Sequence, residues 1–164
     1  LTDGNVVLSE ITEKDKADYR ALCTDKENNA LWGYDYETDA SITGEITDDT
    51  FFDVVNFDRS IGEGISFAIR EKTVDNRLIG EVIVYNFTYT GAAEAGVRVA
   101  KGFQGKGYGK TAYKLVCDWA ANVLGVKLKA KCYKKNEKSR KTIIDCGFAK
   151  TFEDEEFYYF KYNK

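Results

Sequence analysis

From residue 126 to 133 apolar and charged residues alternate strictly: Val126, Leu128, Ala130 and Cys132 against Lys127, Lys129 and Lys131. A period of two is the signature of a strand with one buried face. Residues 5–11, 65–71, 77–89 and 92–99 also read as strands, with turn chemistry at Asp75-Asn76 and Thr90-Gly91. Residues 148–152 and 157–162 form a hairpin across the acidic turn 153–156. Elsewhere the period is helical. Thr12, with Asp15 three residues on, carries a capping-box pattern that opens a helix running to about Cys23. Thr47-Asp48-Asp49 opens a second, whose Phe51, Phe52, Val54, Val55 and Phe57 make a wide apolar face. Ala112, Leu115, Val116, Trp119 and Val123 mark a third. Asn136 starts a fourth that ends at Cys146-Gly147, where glycine suits the C-terminal cap. Residues 28–39 have no clean period and read as a loop anchored by aromatics. The order is β-α-α-β-β-β-α-β-α-β-β, with no repeat or linker, so one domain is expected over residues 1–164.

Between the strand at 92–99 and the third helix lies Gly102-Phe103-Gln104-Gly105-Lys106-Gly107-Tyr108-Gly109-Lys110. Closely spaced glycines let backbone N–H groups approach an anion, and a helix N-terminus adds unpaired donors and partial positive charge. The local chemistry is therefore a phosphate or pyrophosphate cradle. Gly109-Lys110-Thr111 resembles the end of a P-loop, but the first glycine would have to be at position 104, which is Gln. After Gly105 and Gly107, a dinucleotide fingerprint needs glycine at position 110, which is Lys, and a frame begun at Gly107 lacks the acidic residue a ribose needs.

Composition narrows the chemistry. With 43% hydrophobic and 31% charged residues the chain suits an ordinary globular core. No apolar run approaches the roughly 20 residues of a membrane span, and no charged-then-apolar leader opens it. A net charge of −3 argues against nucleic acid as partner. Without histidine, Ser-His and Cys-His dyads are excluded, and so is a Cys/His zinc site; no metal is expected. Cys23, Cys117, Cys132 and Cys146 are scattered, Cys117 and Cys132 fall at apolar-phase positions, and a cytoplasmic location is expected. The chain has no proline, where about 8 would be usual, and no methionine, so Leu1 is not expected to be the translated start.

The pattern Q/R-x-x-G-x-G/A, here Gln104, Gly107 and Gly109, resembles the acetyl-CoA pyrophosphate loop of the GNAT superfamily of N-acetyltransferases. Asn136, Ser139 and the later Gly147-Phe148 resemble that family's N-x-x-S…G-F stretch, and the element order matches over essentially the whole chain. The nearest branch resembles the ribosomal-protein N-terminal acetyltransferases and many small-molecule acetylases, although Lys101-Gly102 stands where a proline is common. The resemblance implies an α+β fold of α/β three-layer type: a mixed, mostly antiparallel sheet of about seven strands with helices on both faces.

It further implies acetyl-CoA as co-substrate and direct attack by a primary amine, either of a small molecule or of a protein N-terminus, within a ternary complex. Val97 and Val99 would hydrogen-bond the pantetheine arm, and one of their N–H groups would polarise the thioester carbonyl. The backbone of Gln104, Gly105, Lys106, Gly107, Tyr108, Gly109 and Lys110 would take the pyrophosphate, with Lys106 or Lys110 adding charge. Asn136 would bond the pantetheine or its own helix start. Glu94 is the expected base, with Glu81 second; Ser139 is the expected acid, with Tyr133 and Tyr113 nearby. Glu94 also reads as an exposed strand-end carboxylate and Ser139 as a first-turn residue. Trp32, Tyr34 and Asp35 would wall the acceptor, or the aromatics would plug the core. A regulatory domain that binds acyl-CoA without turnover is the alternative. The aromatic-rich C-terminal hairpin suits a homodimer contact or internal packing.

Overall fold

The computed structural model describes residues 1–72 and 75–163 of the 164-residue chain. Eight strands form one sheet: β1 (Thr2–Asp3), β2 (Val6–Ser9), β3 (Gly64–Glu71), β4 (Leu78–Tyr85), β5 (Ala92–Val99), β6 (Lys127–Tyr133), β7 (Phe148–Glu153) and β8 (Phe157–Tyr162). Their order is β1-β2-β3-β4-β5-β6-β8-β7, and every pairing is antiparallel except β5 with β6. The helices are α1 (Lys16–Thr24), α2 (Lys26–Asn29), α3 (Asp48–Ile61), α4 (Tyr108–Trp119) and α5 (Glu137–Asp145). The architecture is the expected mixed α/β one, with the two-residue β1 added at the edge.

Alternation along the strands divides the core in two. On β3, Ile69 joins the cluster that contains Ala112, Tyr113, Val116 and Cys117 of α4, with Ile143 of α5. Its neighbour Ala68 joins the opposite cluster, with Tyr19 and Leu22 of α1 and Phe51 of α3. Helices therefore cover both faces, each because successive strand side chains point to opposite sides. All four cysteines are buried and unpaired. Among the described residues no helix is long and apolar enough to cross a membrane.

Several expected boundaries move. The helix expected from Thr12 begins as a 3-10 turn (Glu13–Asp15) before α1, with the Thr12 N–H donating to Asp15 Oδ2 at 2.7 Å as the capping box requires. The strand expected over 77–89 stops at Tyr85, because Asn86 adopts a left-handed φ of 53° that cannot continue a ladder. The short α2 runs into the start of the segment read as loop, and Asp25 caps it by accepting from the Asn28 N–H at 3.0 Å. On α3 the apolar face is narrower than its sequence suggests: Phe51 is buried but Phe57 is 62% exposed.

Two ion pairs are buried among the described residues. Arg70 of β3 donates to both carboxylate oxygens of Asp15 at 2.8 Å each, a bidentate pair that ties the sheet to the entry of α1. Burial alone would raise the Asp15 carboxyl; the hydrogen bonds from Arg70 and Thr12 carry it below the ordinary carboxylate value. Glu81 of β4 and Arg98 of β5 form the second pair, at 2.7 Å.

Candidate functional site

β5 and β6 pair in parallel over only three positions, Ala92↔Lys127, Ala93↔Leu128 and Glu94↔Lys129. Past that point the strands cease to pair, and residues 95–99 and 131–133 line opposite sides of a cavity of about 830 Å³. The Ala100 N–H donates to Ile79 O on β4, so even-numbered backbone groups of β5 face β4. By alternation, the N–H groups of Val97 and Val99 point into the gap. These are the two residues expected to hold a pantetheine arm. One gap-facing carbonyl is already engaged within the protein: Val99 O accepts from Gln104 Nε2 at 3.0 Å and from Asn28 Nδ2 at 3.1 Å. A second, Ala95 O, accepts from the buried Tyr113 hydroxyl at 3.2 Å.

The glycine loop forms the floor at one end. Gly105 and Gly107 adopt φ values of 80° and 87°, a region that costs other residues about 1–2 kcal/mol. A Cβ at Gly107 would meet no protein atom within 4 Å, so the space beside it opens to the outside. The first helical hydrogen bond of α4 runs from the Thr111 N–H to Gly107 O at 3.0 Å. The N–H groups of Tyr108, Gly109 and Lys110 consequently have no partner in the helix, and all three residues line the cavity. That arrangement fits a phosphate.

Of the two lysines expected to add charge at the loop, Lys110 lines the cavity and Lys106 does not. Gln104 lines the cavity, but its amide is spent on Val99 O and on Asn28 Oδ1 at 2.9 Å, holding the loop to β5. Lys106 lies outside the lining and stacks over the Phe103 ring at 5.5 Å. Lys110 bridges to Asp145 at 2.8 Å, joining the start of α4 to the end of α5. Lys101, Lys131, Lys138 and Lys141 also line the cavity, so cations exceed the acidic lining residues Glu27 and Asp145. The lysines of β6 and α5 carry no motif, and only the strand divergence shows that they share a space.

Across the gap, Asn136 caps α5 by accepting from the Ser139 N–H at 3.0 Å, while its amide reaches Leu31 O at 3.3 Å. Ser139 lines the cavity beside Cys132, whose thiol burial raises above the ordinary cysteine value. Leu31, Trp32, Gly33, Tyr133 and Phe157 close this end. The Trp32 indole packs closely on Gly96, where a Cβ would come within 2.6 Å of the ring. Tyr34 and Asp35 do not reach the lining. Tyr34 packs against the α1/α3 core, and burial followed by the Asp39 charge raises its phenol. Asp35 is exposed and shapes the loop by accepting from the Glu37 N–H at 3.1 Å.

Glu94 also stands behind the lining, on the α1/α3 face of β5. Its cross-strand neighbour Tyr85 does line the cavity and donates to Glu94 Oε2 at 3.4 Å, while Asn86 Nδ2 donates to Oε1 at 3.1 Å. Burial, then the Glu94 charge, pushes the Tyr85 phenol up to about 12, so it stays protonated at neutral pH. Glu81 is 2% exposed and occupied by Arg98 and by the Tyr19 hydroxyl at 2.8 Å. Tyr85, Asn28 and Arg98 escape sequence reading alone; the one available signal was a charged residue inside the apolar run of β5.

The fold and this divided sheet define an acyltransferase-like class. The chain matches the acetyltransferase (GNAT) domain family over residues 5–149, and it belongs to that family. No curated protein matches it. The spermidine N-acetyltransferase from Vibrio cholerae, solved in complex with CoA and spermine, is similar over 96% of this chain and 92% of that one, with a TM-score of 0.75 at 18% identity. An acetyltransferase (GNAT family) from Bacillus anthracis covers 98% and 95%, with a TM-score of 0.77 at 15% identity. A probable acetyltransferase covers 99% and 94%, with a TM-score of 0.79 at 18% identity. At such identities the likeness establishes the fold.

Proposed function

We propose that this protein is a single-domain acetyl-CoA-dependent N-acetyltransferase that acetylates a primary amine by direct attack in a ternary complex. The carrying observation is one cavity that joins the gap-facing N–H groups of Val97 and Val99 to the partnerless N–H groups at the start of α4. The first set suits an extended amide-bearing arm and the second a pyrophosphate, and the spacing lysines suit its charge. When bound, acetyl-CoA supplies an activated acetyl thioester.

The protein's own groups divide the remaining work. An N–H of the β5 edge donates to the carbonyl oxygen where negative charge develops. Glu94 receives the amine's proton through Tyr85: the phenol passes its proton to Glu94 and takes one from the amine. Ser139 donates towards the leaving sulfur, held in place by the Asn136 cap. Trp32 gives the acceptor a flat wall, while Tyr34 and Asp35 hold the loop that carries it. Acceptor chemistry is that of an aliphatic, cationic amine, in keeping with the spermine complex of the Vibrio cholerae neighbour. A peptide N-terminus, the acceptor in the ribosomal-protein branch, is the other arm of the test. Four unpaired cysteines suit work in a reducing cytoplasm.

The test is calorimetric titration with acetyl-CoA, followed by turnover on a panel of polyamines, aromatic amines and peptide N-termini. Micromolar acetyl-CoA binding and acetylation of at least one amine are expected. No acetyl-CoA binding would overturn the reading, and binding without turnover across the panel would leave only a regulatory acyl-CoA-binding domain.

A further inference from the structure

The strongest polar cluster outside the transfer site lies behind its aromatic wall. Arg98 belongs to β5, and its side chain points to the α1/α3 face, opposite to those of Ala95 and Val99. There its Nε donates to Glu81 Oε2 at 2.9 Å, one terminal nitrogen donates to Asn29 Oδ1 at 2.9 Å, and the other contacts Cys23 Sγ at 3.1 Å. The guanidinium also lies 5.5 Å from the Trp32 ring centre and 5.6 Å from that of Tyr34. Asn29 is the root of the wall segment: its carbonyl accepts from the N–H groups of Trp32 at 2.9 Å and Gly33 at 3.0 Å, and its amide is fixed to Leu22 O and Cys23 O. One planar group therefore connects the cofactor strand to both the anchor and the rings of the loop. A guanidinium can do this because its donors form a rigid fork and its face stacks on aromatics; an ammonium cannot do both.

We infer that Arg98 is a positioning residue that sets the acceptor wall against β5, so that the register between acceptor and thioester depends on it. The inference rests on the acetyl-transfer reading for its kinetic arm. Arg98→Lys keeps a charge for Glu81 but loses the fork and the stacking. The expected result is an acceptor KM raised about tenfold, with the acetyl-CoA dissociation constant within about twofold of wild type. A second readout needs no acceptor. In a Trp119→Phe background Trp32 is the sole tryptophan of the chain, and R98K is expected to raise its acrylamide quenching constant about twofold. Tyr19→Phe removes the other donor to Glu81 while leaving Arg98 and the loop bonded; it is expected to lower Tm with KM and quenching unchanged.

Unchanged quenching and KM in R98K would overturn the inference, as would a Y19F protein that shifts both as far as R98K does. Equal weakening of acetyl-CoA and acceptor in R98K would also overturn it. If R98K shows no cooperative unfolding transition, the double variant Glu81→Gln/Arg98→Gln, which leaves no orphan charge, replaces it with the same expected outcomes. Should wild type turn over no amine, the proposed function fails while the quenching comparison still decides this inference.

Discussion

At the scale of single residues, the proposed proton transfer turns on Glu94, Tyr85 and Ser139. Glu94 was legible as an acidic residue at the head of β5; its distance from the cavity was not, because that depends on which neighbour fills the space between. Tyr85 becomes its partner only through the register of β4 with β5. Glu94→Gln is expected to lower kcat by about 10²–10³-fold, in line with loss of a general base. Tyr85→Phe should give a loss of the same order, read by steady-state kinetics with the same amine. A Tyr85→Phe enzyme as fast as wild type would mean that Glu94 works without the phenol. Ser139→Ala is expected to lower kcat more than it raises KM; equal rates would return Ser139 to its place in the first turn of α5.

At the scale of elements, the glycine loop and α4 behave as a unit, and this unit was the most readable part of the chain. Glycine spacing is a local property: Gly105 and Gly107 need positive φ whatever the rest of the fold does. Gly107→Val is expected to weaken acetyl-CoA binding at least about tenfold, because its side chain would project into open space beside the unpartnered N–H groups. Gly62→Val at the end of α3 is the control, since Gly62 has a similar φ of 76° and equally open surroundings away from the cavity. Calorimetry should find acetyl-CoA affinity unchanged in that control. A comparable loss in both variants would assign the effect to backbone strain. The loop at 28–39 was far less readable, since its aromatics pack on Gly96 and Arg98, roughly 60 residues away in sequence.

At the scale of the whole molecule, the two buried ion pairs fix how the helices of one face meet the sheet. Asp15 gives this a pH signature. Its folded pKa lies below the ordinary 3.8, so its ionised form is the one the fold favours. The stabilisation is complete above that ordinary value and is lost as pH falls through the lower folded one. Asp15→Asn is expected to cost about 3–5 kcal/mol at neutral pH, because it leaves Arg70 without its buried counter-charge. Urea unfolding of the two proteins should converge as the pH is taken below the carboxylate range. A constant gap across that range would show that Asp15 contributes by packing rather than by charge.

The sequence by itself determined the order of the longer elements, though not β1 or α2, the alternation that assigns strand faces, and the glycine turn with its helix start. Each is written in residues close together along the chain, as period, cap or backbone freedom. Only the tertiary structure decided that β5 and β6 separate after three paired residues, that the Gln104 side chain braces Val99, and that Tyr85 stands between Glu94 and the cavity. It also decided that Arg98 and Glu81 meet beneath Trp32. These are contacts between distant segments, fixed by strand register and by which buried charge finds a partner, and no local pattern encodes them.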